Sequence, residues 1–177
     1  LNIKKIHNKV ITIIIPRHID RVKSIKLECN RLNLKSQILN EAEVIKNETE
    51  IIIINSYGVI PNYLSICKSV FIGKSLIKKL EAVGGQNPIE AAKFGCKIYH
   101  GPFVYNFKEI YNLLKKYNIS EEINNEDELS KKLNKDLSNL DTINNATIKN
   151  INKLGNQILI NTFNELEEVI KNENVKT

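Results

Sequence analysis

The chain has 177 residues, 42% hydrophobic and 26% charged, with a formal charge of +6 from 26 basic and 20 acidic side chains. This length and balance suit a single globular domain with a sizeable core, and they exclude wholesale disorder and two full-sized domains. Lys dominates the basic set and aromatics make up only 6%. Nucleic-acid readers use Arg and interleaved aromatics, so the charge reads as a solvated basic surface with no nucleic acid as partner. Along the chain, Val10–Ile15 is a β-branched run stopped by Pro16, the pattern of a buried strand. Val22, Ile25, the Lys26 stem, Cys29 and Leu32 recur at helical spacing and predict a helix from Ile19 to about Leu32. A short strand is predicted near Gln37–Leu39. Glu50–Asn55 is a second buried strand, ended by the turn-prone Ser56-Tyr57-Gly58. Val59–Ile66 reads as a short helix with Pro61 in its first turn, where a missing N–H does no harm.

Ser69–Ile72 is the next strand, and a loop follows from Gly73 to Gln86. Asn87 is placed to cap a helix with Pro88 at its first position and Glu90 at its third, and Gly95 ends it. Lys97–His100 forms a strand closed by Gly101-Pro102, and Asn106 starts a helix to about Tyr117. From Glu126 onward the chain is polar and helical in period, with fraying expected over Lys171–Thr177. Strands alternating with helices describe an α/β fold with a Rossmann-like, doubly wound parallel sheet. Ligands bind such sheets beyond the C-terminal ends of the strands. The unusual residues sit at those ends: Pro16-Arg17-His18, Ser56-Tyr57-Gly58, Gly73-Lys74-Ser75, Gly84-Gly85-Gln86-Asn87 and Gly101-Pro102. They predict one ligand-binding rim.

Cys29, Cys67 and Cys96 are widely spaced and form no CxxC, which fits a reducing compartment and three small buried hydrophobes. No metal site is expected, because His18 and His100 have no carboxylate or Cys at ligand spacing. The longest apolar runs fall far short of the ~20 residues of a spanning helix. The chain holds no Met and opens at Leu1 without a signal-peptide pattern, so it is expected to be part of a longer protein.

Gly73-Lys74-Ser75 after a strand invites a P-loop reading, but Lys68 stands where that motif needs glycine and another glycine pair follows. Backbone N–H groups beside Gly73 can still approach an anion. The Gly84–Glu90 stretch is more informative. Two glycines allow the backbone close to a ligand, a helix starting at Asn87 turns its positive end the same way, and Glu90 can accept hydrogen bonds from ribose hydroxyls. The plain alternative is a glycine turn with an ordinary capping box. Arg17 can pair with a phosphate bidentately, against the plain reading of a surface ion pair.

Pro16-Arg17-His18, Phe71-Ile72-Gly73 with Ser75, Gly84-Gly-Gln-Asn-Pro-Ile-Glu90 and Gly101-Pro102 with Asn106-Phe107 and Glu109 form a specific set. The set resembles the C-terminal half of the Kdo transferases (3-deoxy-D-manno-octulosonic acid transferases), GT-B glycosyltransferases of lipopolysaccharide assembly. Two departures stand out: Lys74 replaces the middle glycine of the family's Gly-Gly-Ser, and the loop over residues 76–83 is longer. Tyr105 also stands where the family usually has His.

The resemblance implies a donor-binding domain over residues 1–160 and, over 161–177, a C-terminal helix able to pack back on a missing N-terminal domain. It implies CMP-Kdo as donor substrate, with no further cofactor and no metal. Contacts to CMP-Kdo are implied for Pro16, Arg17, Tyr57, Gly58, Val59, Gly73, Ser75, Gly85, Gln86, Asn87, Pro88, Ile89, Glu90 and Asn106. The implied activity is transfer of Kdo to a lipid A precursor at the cytoplasmic face of the bacterial inner membrane, with an anionic membrane surface as partner. No catalytic base is implied in this chain, so it is expected to be inactive alone. Two alternatives stay open: another GT-B glycosyltransferase with a different nucleotide sugar, and a non-catalytic nucleotide-sugar binding module.

Overall fold

The computed structural model describes residues 2–138 and 145–174. In chain order the elements are α1 (Asn2–Ile6), β1 (Thr12–Ile14), α2 (Val22–Arg31), β2 (Ser36–Leu39), β3 (Ile51–Ile54), α3 (Ile60–Leu64) and β4 (Ser69–Phe71). They continue with α4 (Ile89–Lys93), β5 (Lys97–His100), α5 (Lys108–Lys116), β6 (Ser120–Glu122), α6 (Glu126–Ser138) and α7 (Asn145–Asn174). Tight 3-10 turns cover Ile19–Arg21, Lys78–Val83 and Tyr105–Phe107. The expected α/β fold with parallel strands is present. The strands fall in two three-stranded parallel sheets, and the chain divides into two compact units. Leu1–Cys67 and Glu126–Leu140 form the first, Lys68–Asn125 and Asp141–Thr177 the second.

In the first unit the strand order is β1-β3-β2, with Thr12 opposite Ile51 and Leu39 opposite Ile54. β3 lies between two neighbours, and its alternate residues bury on opposite faces. Ile53 packs with Val22 and Cys29 of α2, while Ile52 and Ile54 pack with Leu39, Ile13, Ile15, Val59 and Tyr63. β1 departs from the expectation of a buried strand. It pairs on one side only, just three residues form the strand, and Ile11 is 47% exposed. Leu32, expected on the apolar face of α2, lies beyond the last helical residue and is exposed. α1, which no periodicity flagged, packs on α6, where a His7 ring nitrogen lies 2.7 Å from Asn134 Oδ1.

In the second unit the order is β4-β5-β6, with Val70 opposite Ile98 and Ile98 opposite Ser120. The central strand buries Ile98, Tyr99 and His100. β6 went unanticipated because Ser-Glu-Glu carries no hydrophobic period, although Ile119 and Ile123 at its ends are fully buried. α4 packs on both β5 and α7. Positions 160 and 161 lie inside α7, so no element boundary falls between the two segments expected from the sequence. The helix continues past Lys171 to Asn174, and the last residues expected to fray, 175–177, lie outside the described residues. Among the described residues no helix is long and apolar enough to cross a membrane.

Candidate functional site

In the first unit the parallel pairing of β1 and β3 sets their C-terminal ends side by side. Beyond β1, Pro16 is half-buried and Arg17 is exposed, and the guanidinium has no hydrogen bond or ion pair among the described residues. Beyond β3, Tyr57 is 67% exposed. Gly58 has φ +75 with open space around it, so its backbone conformation, not crowding, asks for glycine there. Val59 is half-buried and packs into the core against Leu39, Ile52 and Ile54, which makes it a packing residue as well as an implied contact.

The second unit holds its loops differently. Ser75 is fully buried; its hydroxyl donates to the Ile72 carbonyl at 2.6 Å and accepts from the Gly101 N–H at 2.8 Å. The Phe103 N–H donates to the Ser75 carbonyl at 2.9 Å. A Cβ on Gly101 would stand 2.2 Å from the Ser75 carbonyl oxygen, and one on Gly84 2.4 Å from the Phe103 oxygen. Gly85 has φ +77, and a Cβ there would meet Val104 Cα at 3.0 Å. Residues 73–75, 84–86 and 101–104 thus form one interlocked stack. The glycine pair, read from sequence as room for a ligand, is required by close packing of one backbone on another. The hydrogen bonds of Ser75 are likewise spent inside the protein.

Gly73 is exposed with nothing near its absent Cβ, and the left-handed conformation falls instead on Lys74 at φ +65. At the other end of the stack, Asn87 Oδ1 accepts the Ile89 N–H at 3.0 Å, the expected cap displaced by one residue because Pro88 holds the N-cap position. α4 starts at Ile89, not at Asn87 as expected, and with five residues it carries little macrodipole, so the expected positive helix end adds little there. Pro88 is buried; Asn87, Ile89 and Glu90 are exposed, and the Glu90 carboxylate has no partner among the described residues. Asn106, also exposed, sits in the 3-10 turn ahead of α5.

Tyr111 and His100 were not among the expected site residues. The Tyr111 hydroxyl donates to the Gln86 carbonyl at 2.9 Å, and its ring lies 4.2 Å from that of His100, centroid to centroid. Burial pushes the Tyr111 hydroxyl well above its ordinary pKa, so it stays protonated as a donor. Burial lowers the pKa of His100, opposed by the hydrogen bond between Nδ1 and the Gly101 carbonyl. No group of three or more His, Cys, Asp or Glu side chains among the described residues is arranged to hold a metal ion.

No family model matches the chain. Curated relatives do. A 3-deoxy-D-manno-octulosonic acid transferase of Rickettsia felis is 34% identical over 90 residues, which is 51% of this chain and 18% of that protein. The enzyme of the same name from Aquifex aeolicus is 24% identical over 107 residues, 60% of this chain and 28% of that protein. Among solved structures, the C-terminal CMP-Kdo binding domain of WaaA from Acinetobacter baumannii matches with a TM-score of 0.63 at 22% identity, covering 76% of this chain and 67% of that one. The matched stretch spans less than a third of the curated relatives. The resemblance read from the motifs is therefore borne out by relatives that are Kdo transferases, which are glycosyltransferases. The expected GT-B C-terminal fold is borne out by the structural match.

Proposed function

We propose that the chain binds CMP-Kdo as the donor for transfer of Kdo to a lipid A precursor in lipopolysaccharide core biosynthesis. One observation carries the reading. The Gly84–Glu90 stretch, the most specific part of the motif set, is locked from behind while the Glu90 carboxylate is exposed and has no partner among the described residues. A fixed backbone with an uncommitted acceptor suits hydroxyl-rich ligands such as ribose.

The reaction would be a displacement. An acceptor hydroxyl forms a bond to the Kdo anomeric carbon as the bond to the phosphate oxygen of CMP breaks, and the hydroxyl proton passes to a base. No residue of this chain is assigned as that base, so the chain alone would bind donor without turning it over. The charge of +6 suits work at an anionic membrane surface, here the cytoplasmic face of the bacterial inner membrane.

Calorimetry of the chain with CMP, UMP and UDP tests the reading. CMP should bind most tightly; absent CMP binding, or equal binding of all three, overturns it. With CMP as ligand, Glu90→Ala should weaken binding by about 1–3 kcal/mol if the carboxylate holds ribose hydroxyls. Unchanged affinity would reduce Glu90 to a surface residue.

A further inference from the structure

We infer that Tyr111 is a positioning residue for the proposed donor site, acting through one peptide plane to aim the Asn87 N–H outward. The inference rests on the CMP reading above. Tyr111 sits on α5 and is 2% exposed, with its ring beside His100 and its backbone carbonyl accepting from the Ser120 hydroxyl at 3.1 Å. A phenylalanine would fill the same space. What the hydroxyl adds is one hydrogen bond, and its acceptor is the backbone carbonyl of Gln86 within the glycine-rich turn.

That carbonyl belongs to the peptide unit joining Gln86 to Asn87. The unit is trans and planar, so its N–H points opposite to its C=O. With the carbonyl drawn toward Tyr111, the Asn87 N–H faces away from the buried side, and it has no acceptor among the described residues. Val104 packs against Gly85 just before this unit, and the Asn87 side chain bonds the Ile89 N–H just after it. The peptide is thereby held at both ends, and Tyr111 fixes its rotation. An outward N–H held in place in advance can meet a ligand oxygen without ordering cost at binding. Left unpaired, a buried phenol would be expensive, so the bond holds phenol and loop together.

The test uses the full chain, at a temperature where circular dichroism shows every variant folded. Tyr111→Phe should weaken CMP binding about tenfold, and in two-dimensional amide spectra it should move the Asn87 resonance. Ser120→Ala loosens the same tyrosine from its backbone side and should leave CMP affinity unchanged. Tyr111 replaced by 4-aminophenylalanine keeps the ring and a donor, and it should retain near wild-type affinity even if Tyr111→Phe fails to fold. Loss of affinity in that last variant overturns the inference. If the wild-type chain binds CMP and Tyr111→Phe binds it equally well, the positioning role falls and the donor reading stands. Failure of the wild-type chain to bind CMP overturns the donor reading itself.

Discussion

The loops of the two units solve the same problem in opposite ways. Beyond β1 and β3 the chain presents side chains: Arg17 and Tyr57 are exposed, and Gly58 has open space around it. Beyond β4 and β5 it presents backbone: Ser75, Gly84, Gly85 and Gly101 are all buried and interlocked. The difference separates two kinds of glycine and polar residue that look alike in sequence. In the first unit a change should alter what the protein binds and leave its stability nearly untouched. At these interlocked positions of the second unit the same kind of change should damage the fold before it can report on a ligand.

Gly101→Ala against Gly58→Ala is the sharpest way to break that contrast. At Gly101 the new methyl would meet the Ser75 backbone at 2.2 and 2.5 Å, where no flexible side chain can move aside. Overpacking of this kind should destabilise by about 3 kcal/mol. At Gly58 nothing lies within 4 Å, so only the strain of φ +75 remains, about 1 kcal/mol. Urea unfolding of both variants measures the pair, and equal losses would refute the distinction. Ser75→Ala comes next. It removes a donor to Ile72 and leaves the buried Gly101 N–H without its acceptor, for a loss of about 2 kcal/mol. A loss below about 0.5 kcal/mol would mean that water replaces the hydroxyl and the interlock is loose.

pH offers a third probe, confined to the second unit. His100 has its pKa lowered in the fold, first by burial, so below its ordinary 6.5 the unfolded chain binds the proton more readily. Its contribution to stability is therefore complete above pH 6.5 and fades as pH falls from there toward the folded pKa. The bond from Nδ1 to the Gly101 carbonyl favours the protonated ring, so it offsets part of the loss that burial causes. Unfolding midpoints measured between pH 7.5 and 5 should fall for the wild type and fall less for His100→Gln. Parallel curves would remove His100 as the source.

What could be read in advance divides along the same line. β3 announced itself because four consecutive isoleucines bury on both faces, and Asn87 was legible as a cap because capping is local. β1 carried a similar apolar run, yet an edge position leaves it part-exposed, and one strand's composition does not reveal how many neighbours it has. The interlock of Ser75 with Gly101 spans 26 residues, and that of Tyr111 with Gln86 spans 25. Neither pair leaves any period or short motif to detect. Glu90 and Arg17, exposed and without a partner among the described residues, kept in the structure the availability that their sequence context suggested.

Lys74 is where the two behaviours meet, and it carries the smallest effect. Its φ of +65 is the conformation that a glycine would take without strain, and glycine is the residue usual there in the Kdo transferases that the motifs resemble. Neighbouring Gly73 needs no glycine for space, so the chain places its strained residue beside an unconstrained one. Lys74→Gly should relieve about 1 kcal/mol of backbone strain, part of it offset by greater freedom in the unfolded chain. The net gain of about 0.5 kcal/mol should raise the melting temperature by roughly 1–2 °C. Strain kept in a loop held by a buried serine makes sense where the side chain it carries has work to do. If Lys74→Gly is more stable and binds CMP more weakly, the ammonium is part of the donor site; if it is more stable and binds equally, Lys74 is a replacement the interlock merely tolerates.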